Sequence, residues 1–283
     1  MAGFRGKYKP VDLLTIGYFL FLNGILAIFG RENAEWYLCL LAHFLLIFLV
    51  MVLIWLENKF PGKFIKFARA WYPMILLPFT YEELGQFVHL IFPYWLDPLI
   101  HTFERTLFGV YPTVWLQRIV CPVLTEYFKF AYFSYYLIFP LPAVIFYLKG
   151  ENDKFDKFMF AIFIAYYLSF IGFILFPVEG PRYALANQYS KLLKGYFFTS
   201  LQDWITQLGA LHGGCMPSSH VAASLVSLLT VRQYNRGLYY FLLPVVLSLF
   251  LSTVYNRDHY LSDVLAGIVV GSFSLRLSNR KQK

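Results

Sequence analysis

Residues 36–56 (WYLCLLAHFLLIFLVMVLIWL) carry one histidine and no formal charge. Such a run of about 20 residues is what an α-helix needs to cross roughly 30 Å of hydrocarbon, and a soluble core helix has no use for it. The composition extends this constraint to the whole chain, which is 59% hydrophobic, 21% aromatic and only 14% charged over 283 residues. That apolar share exceeds the average of water-soluble domains. The net charge of +8 does not point to a nucleic-acid partner, because Lys and Arg fall in short clusters between apolar runs rather than along one polar face. The expected fold class is therefore all-α, a polytopic transmembrane bundle of about eight membrane helices with membrane lipids as its surroundings.

Spans are predicted at about 11–29, 36–56, 72–92, 126–148, 158–177, 217–231, 238–256 and 260–275. The third is interrupted by Pro73, Pro78, Glu82 and Glu83, and the charge pattern is the reason to keep it. Eight spans put Arg5, Lys7 and Lys9, then Lys59, Lys63, Lys66 and Arg69, then Arg232 and Arg236, then Arg276, Arg280, Lys281 and Lys283 on one side. The positive-inside rule makes that side, with both termini, cytoplasmic. The segments around 31–35, 93–125 and 178–216 are expected on the other side. The basic N-terminus leads into an apolar run from Val11 to Phe29 without a clear cleavage site, which favours an uncleaved span over a signal peptide. No internal repeat or low-complexity stretch divides the chain. One membrane-embedded domain is expected, with N-terminal helices and an outer loop in 1–125 and a catalytic helical core in 126–275. Cys39, Cys121 and Cys215 lack CxxC spacing, so neither a disulfide framework nor a zinc site is expected.

This topology brings the end of 158–177, the start of 217–231 and the turn at 256–260 to one side, and each place carries a polar motif. The first, Glu179-Gly180-Pro181-Arg182-Tyr183, follows an apolar helix. Taken alone, an arginine there is more often an interfacial anchor. The second, Gly213-Gly214-Cys215-Met216-Pro217-Ser218-Ser219-His220, places glycines, a first-turn proline and serines at a helix start, whose free N–H groups favour an anion. A lone histidine at this level more often bonds a serine or a lipid. In the third, Ser252 to Gly267, His259 and Asp263 are four apart. On a helix they share a face, so the carboxylate can hold one imidazole nitrogen while the other points outward. An ion pair capping the helix is the competing reading, but an ionisable residue in an apolar segment is a functional hypothesis by default.

Taken together, the three motifs resemble the type 2 phosphatidic acid phosphatase superfamily. Its signature is a Lys and an Arg-Pro, then Pro-Ser-Gly-His, then Ser-Arg followed by a His and an Asp four apart. The matching positions are Gly180-Pro181-Arg182, Pro217-Ser218-Ser219-His220, and Ser252 with His259 and Asp263, within about the last 110 residues. Leu175 stands at the family's lysine, Tyr183 at the proline after its arginine, Ser219 at its glycine and Thr253 at the arginine after its serine. Arg257, four residues beyond Thr253 and so one helical turn along the same face, would restore one of those charges with its long side chain, and Arg257→Ala is then expected to abolish turnover. The variant pattern and the stretch His101 to Pro112 (HTFERTLFGVYP) are similar to the inositol phosphorylceramide synthase-like branch, whose members transfer head groups.

The resemblance implies a two-step displacement on a lipid phosphate. Arg182, Arg257 and the N–H groups near Ser218 and Ser219 would clamp the phosphate. His259 would attack phosphorus, oriented by Asp263, and His220 would protonate the leaving oxygen. Water as the second acceptor makes a phosphatase, and an alcohol makes a transferase. A non-catalytic transporter or scaffold is the third reading. No acidic cluster has metal-ligand spacing, so neither metal nor cofactor is expected. Tyr183, Tyr196 and Trp204 are expected to ring the site at the bilayer edge, with 178–216 as a lid hinged at Gly213 and Gly214.

Overall fold

The computed structural model describes residues 8–30, 35–209 and 211–280. Of the charges used for topology, Arg5, Lys7, Arg31, Lys281 and Lys283 lie outside the described residues. Among the described residues six helices are long and apolar enough to cross a membrane: α1 (Pro10–Phe29), α2 (Trp36–Lys59), α5 (Pro122–Leu148), α6 (Asn152–Leu175), α9 (Arg236–Tyr255) and α10 (Leu261–Arg280). Between them lie α3 (Lys63–Glu83), α4 (Asp97–Phe108), α7 (Phe197–Gly209) and α8 (Ser219–Tyr234). The chain is a helical bundle, as its apolar runs predict.

Two of the eight expected spans do not reach the length and apolarity of the others. The helix expected at 72–92 runs instead from Lys63 to Glu83 and ends in a 3-10 turn, Leu84–Gln86. It holds Pro73 and Pro78 inside, and its first turns carry Lys63, Lys66 and Arg69. The prolines mark the middle of this helix rather than its start. The other, α8, has 16 residues, about 24 Å at 1.5 Å per residue. It packs against α6, α9 and α10 and lies at the centre of the bundle. By contrast α2 buries only His43, Val50 and Ile54, and presents Phe44, Leu45, Phe48 and Trp55 outward, as a lipid-facing helix does.

Close packing of α8 on α10 depends on two glycines. A Cβ at Gly267 would lie 2.6 Å from the carbonyl oxygen of Ser218, and one at Gly271 would lie 2.7 Å from that of Ala222. Spaced four apart, they clear one stripe of α10 so that the two backbones meet, the small-residue solution to helix association in lipid. The N-terminal ends of both helices are thereby brought together.

The two ends of the bundle carry different polar groups. At one, Lys9 pairs with Asp156 at 3.0 Å, and buried Arg69 pairs with Asp12 at 2.6 Å and with Glu57. The start of α6 meets the last turns of α8 and α10 there, through Lys154 over the Tyr234 ring and Ser278 Oγ on the Lys157 carbonyl. At the opposite end lie all three polar motifs.

Candidate active site

The segment 178–216, expected as a loop, contains a short helix at Pro181–Ala184 and the amphipathic helix α7. The Glu126 carboxylate of α5 accepts the N–H groups of Tyr196, Phe198 and Thr199 and the Thr199 hydroxyl, so the start of α7 is fastened to α5. This is an N-terminal cap supplied from another helix. An isolated bridge between Val178 and Gly214 joins the first motif to the second. Gly180 turns the chain at φ 103°, a left-handed conformation open to glycine.

His220 is the second residue of α8, and its N-cap is Ser218, whose Oγ accepts the Val221 N–H. Pro217 therefore precedes the helix and does not occupy its first turn. The Ser218 N–H donates to the Asp263 carbonyl at 3.1 Å, which removes it from the expected phosphate clamp. Ser219 and His220, the first two helical residues, have N–H groups that no preceding turn can satisfy. Val221 N–H is the next donor along and is already capped.

His259 and Asp263 form their pair without sharing a helix. The chain leaves α9 at Tyr255, and α10 begins only at Leu261, so His259 lies in the connecting turn. Asp263, third in α10, reaches back: its Oδ2 accepts the Tyr260 N–H at 2.8 Å and lies 3.5 Å from His259 Nδ1. The same oxygen accepts the Cys215 thiol at 3.0 Å. On the far side of the ring, His259 Nε2 lies 3.5 Å from His220 Nδ1. The two imidazoles, 39 residues apart in the chain, thus face one another. His220 Nε2 lies 3.0 Å from the Tyr132 hydroxyl, and the ring sits among Tyr132 and Tyr135. A Tyr132 O–H donated to Nε2 leaves the proton of neutral His220 on Nδ1, toward His259.

The two arginines have protein partners. Arg182 donates to the Asp258 carboxylate, whose charge, against the cost of burial, raises the arginine's pKa. Arg257 does not continue α9. It has φ 64°, its Nη2 donates to the Lys191 carbonyl at 2.6 Å, and its guanidinium lies 3.8 Å from the centre of the Tyr189 ring. The shared helical face with Thr253 is therefore absent, because the helix ends two residues earlier. Burial lowers the Arg257 pKa.

A cavity of about 480 Å³ gathers Arg182, Ser219, His220, Arg257, Asp258 and His259 at its wall. Ser218 and Asp263 are buried behind this wall and do not line it. Its remaining lining includes the aromatic side chains of Tyr81, Tyr132, Tyr135, Tyr136, Tyr166 and Phe170. Tyr183 lines the cavity as expected, whereas Tyr196 and Trp204 are 61% and 58% exposed and face outward. Neither Glu82, Glu83 nor His89 lines it. Glu83 instead pairs with buried His43 at 2.6 Å, and His89 Nδ1 lies 3.0 Å from the Phe92 carbonyl.

One helix matters to the site more than its sequence suggests. Asp97, His101 and Glu104 recur along one face of α4, and all three reach the motif turns. The Asp97 carboxylate accepts the N–H groups of Glu179 and Gly180 and the Tyr260 hydroxyl. Since that hydroxyl donates to Asp97, its oxygen accepts from His101 Nε2 at 2.8 Å. Glu104 Oε1 accepts the Ser262 N–H and hydroxyl. Burial raises the Glu104 pKa to about 7, while the Ser262 bonds oppose the shift. The carboxylates of α4 thus hold the first motif and the His259 turn in one frame. Their 3.6-residue spacing was a visible signal, but their partners lie about 80 and 160 residues away.

A family model described as the PAP2 superfamily matches residues 99–277. No curated protein and no solved structure matches the chain. The family match supports the resemblance carried by the three motifs, and covers every cavity-wall residue named above at its polar end.

Proposed function

The chain belongs to the PAP2 superfamily, which points to phosphatase- or phosphotransferase-type chemistry on phosphate esters at a membrane, and from that premise we propose that it hydrolyses a lipid phosphomonoester or diphosphate through a phosphohistidine. The observation that carries the reading is His259 Nε2 facing His220 Nδ1 across 3.5 Å, in the same cavity as Arg182. The phosphate enters beside Arg182, Arg257 and the first N–H groups of α8, which are fixed donors for the charge that develops on its oxygens. His259 Nε2 attacks phosphorus as the bond to the lipid oxygen breaks, and Asp263 stabilises the imidazolium on the Nδ1 side. His220, protonated on both ring nitrogens when it acts as the acid, gives its Nδ1 proton to the leaving oxygen and becomes neutral imidazole. Water then transfers a proton to His220 and its oxygen replaces His259 on phosphorus. The active site faces away from the cytoplasm, a reading supported by the collection of basic residues at the other end of the bundle.

A second reading is head-group transfer, in which an alcohol takes the place of water. The breadth of the tyrosine-lined cavity beside His220 favours it, since an acceptor has room there. One experiment addresses both. Purified protein is incubated with phosphatidic acid, prenyl diphosphates and phosphoinositides carrying labelled phosphate. Free phosphate is expected, a new phosphodiester would make the enzyme a transferase, activity retained in His259→Ala would rule out His259 as the nucleophile, and product from none of these esters would favour a non-catalytic fold.

A further inference from the structure

Cys215, His259 and Asp263 bring one ligand-type atom each into a single small triangle. Cys215 Sγ lies 3.0 Å from Asp263 Oδ2 and 3.5 Å from His259 Nδ1, and the nitrogen lies 3.5 Å from the oxygen. All three side chains are buried, and theirs is the one such group among the described residues. Zinc bonded to sulfur at about 2.3 Å and to nitrogen and oxygen at about 2.0 Å holds its tetrahedral ligands at about 3.3–3.5 Å from each other. The protein already sets these three atoms near that spacing. Asp263 Oδ1 is also buried without a hydrogen-bond partner, so the carboxylate has a further contact to offer. Cys215 and His259 line the cavity, which gives an ion its approach.

We propose that Cys215, His259 and Asp263 form a site for a thiophilic divalent cation of the zinc class, and that its occupancy silences His259. The cation bonds Sγ, Nδ1 and a carboxylate oxygen. The thiol proton leaves to solvent, and the imidazole proton moves from Nδ1 to Nε2. Nε2 then carries hydrogen where it would otherwise present the lone pair that attacks phosphorus. The ion is an inhibitor and not a cofactor. The site itself is independent of the proposed reaction, and only its silencing effect rests on that reading.

Cobalt(II), a visible reporter of zinc sites, tests the proposal on the full-length protein in detergent. A single cobalt ion per chain is expected, with tetrahedral ligand-field bands and a thiolate-to-cobalt charge-transfer band. The band is retained in the Cys39→Ser/Cys121→Ser double variant, whose two exchanged residues lie outside the site, and is lost on further Cys215→Ser. Absence of the band in the double variant overturns the proposal, as does its persistence without Cys215. The double variant decides the matter even if Cys215→Ser does not fold. Zinc is expected to abolish phosphate release and a chelator to restore it, and full turnover with zinc bound would overturn the silencing. A thiolate–cobalt site in a protein that cleaves no phosphate ester would sustain the cation site and sink the proposed reaction instead.

Discussion

Replacing Asp263 with Asn removes the negative charge beside His259 and changes little else in shape. The carboxylate oxygen lies 3.5 Å from Nδ1 in a fully buried setting. At that separation, with an effective dielectric constant of about 20, a unit charge stabilises an imidazolium by about 4.7 kcal/mol. That corresponds to about three and a half orders of magnitude in rate. Asp263 lies behind the cavity wall, so the loss should fall on kcat and leave KM nearly unchanged. The assay is initial-rate phosphate release by Asp263→Asn on the best wild-type lipid phosphate, with gel-filtration elution and melting temperature as folding controls. Quench-flow trapping of phosphoenzyme should show slowed formation. A correctly folded variant with kcat within tenfold of wild type would refute the role given to the pair.

Tyr132→Phe removes the hydroxyl that bonds His220 Nε2, and a loss of about 1 kcal/mol, or about fivefold in kcat, is expected from steady-state kinetics. Gly267→Ala drives a methyl group against the Ser218 carbonyl, and the cost of about 1–3 kcal/mol should lower both the melting temperature and turnover. Glu104 has a folded-state pKa raised to about 7, so between its unfolded value of about 4.3 and about 7 the native state holds more protons. Wild-type stability from this group is therefore full below pH 4 and declines as pH rises toward 7. Thermal shift from pH 5 to 8 should show that decline weakened in Glu104→Gln, and an unchanged slope would count against the assignment.

What the sequence disclosed was set by how local each determinant is. Apolar runs mark α1, α2, α6, α9 and α10 because membrane insertion depends on the run itself. The start of α8 was legible from Ser218-Ser219-His220, since capping acts within four residues. Where an expectation assumed a continuing helix, tertiary structure overrode it. Arg257 was placed on the α9 face, but the chain turns left-handed at that residue. His259 and Asp263 were paired through a helix, yet their contact comes from a carboxylate reaching back across a turn. Four-residue spacing is compatible with both geometries. The α4 carboxylates and Cys215 act on partners tens of residues away, and no spacing rule within a short window could have assigned them.

The arginine pairings bear on which phosphates suit this cavity. Arg182 is already neutralised by Asp258, whereas Arg257 is held by a carbonyl and the face of Tyr189, which leave its charge uncompensated. An entering phosphate therefore does not meet two free cations. It must take the place of a carboxylate of single charge, so its binding free energy is a difference between two ion pairs rather than the full strength of one. A phosphodiester carries one negative charge and gains little by that exchange. A phosphomonoester or diphosphate carries more, and its planar oxygen pairs suit the fork of a guanidinium. On the proposed reading, the Asp258 carboxylate would favour the more highly charged esters, which is the physical ground for placing hydrolysis of a terminal phosphate ahead of diester exchange.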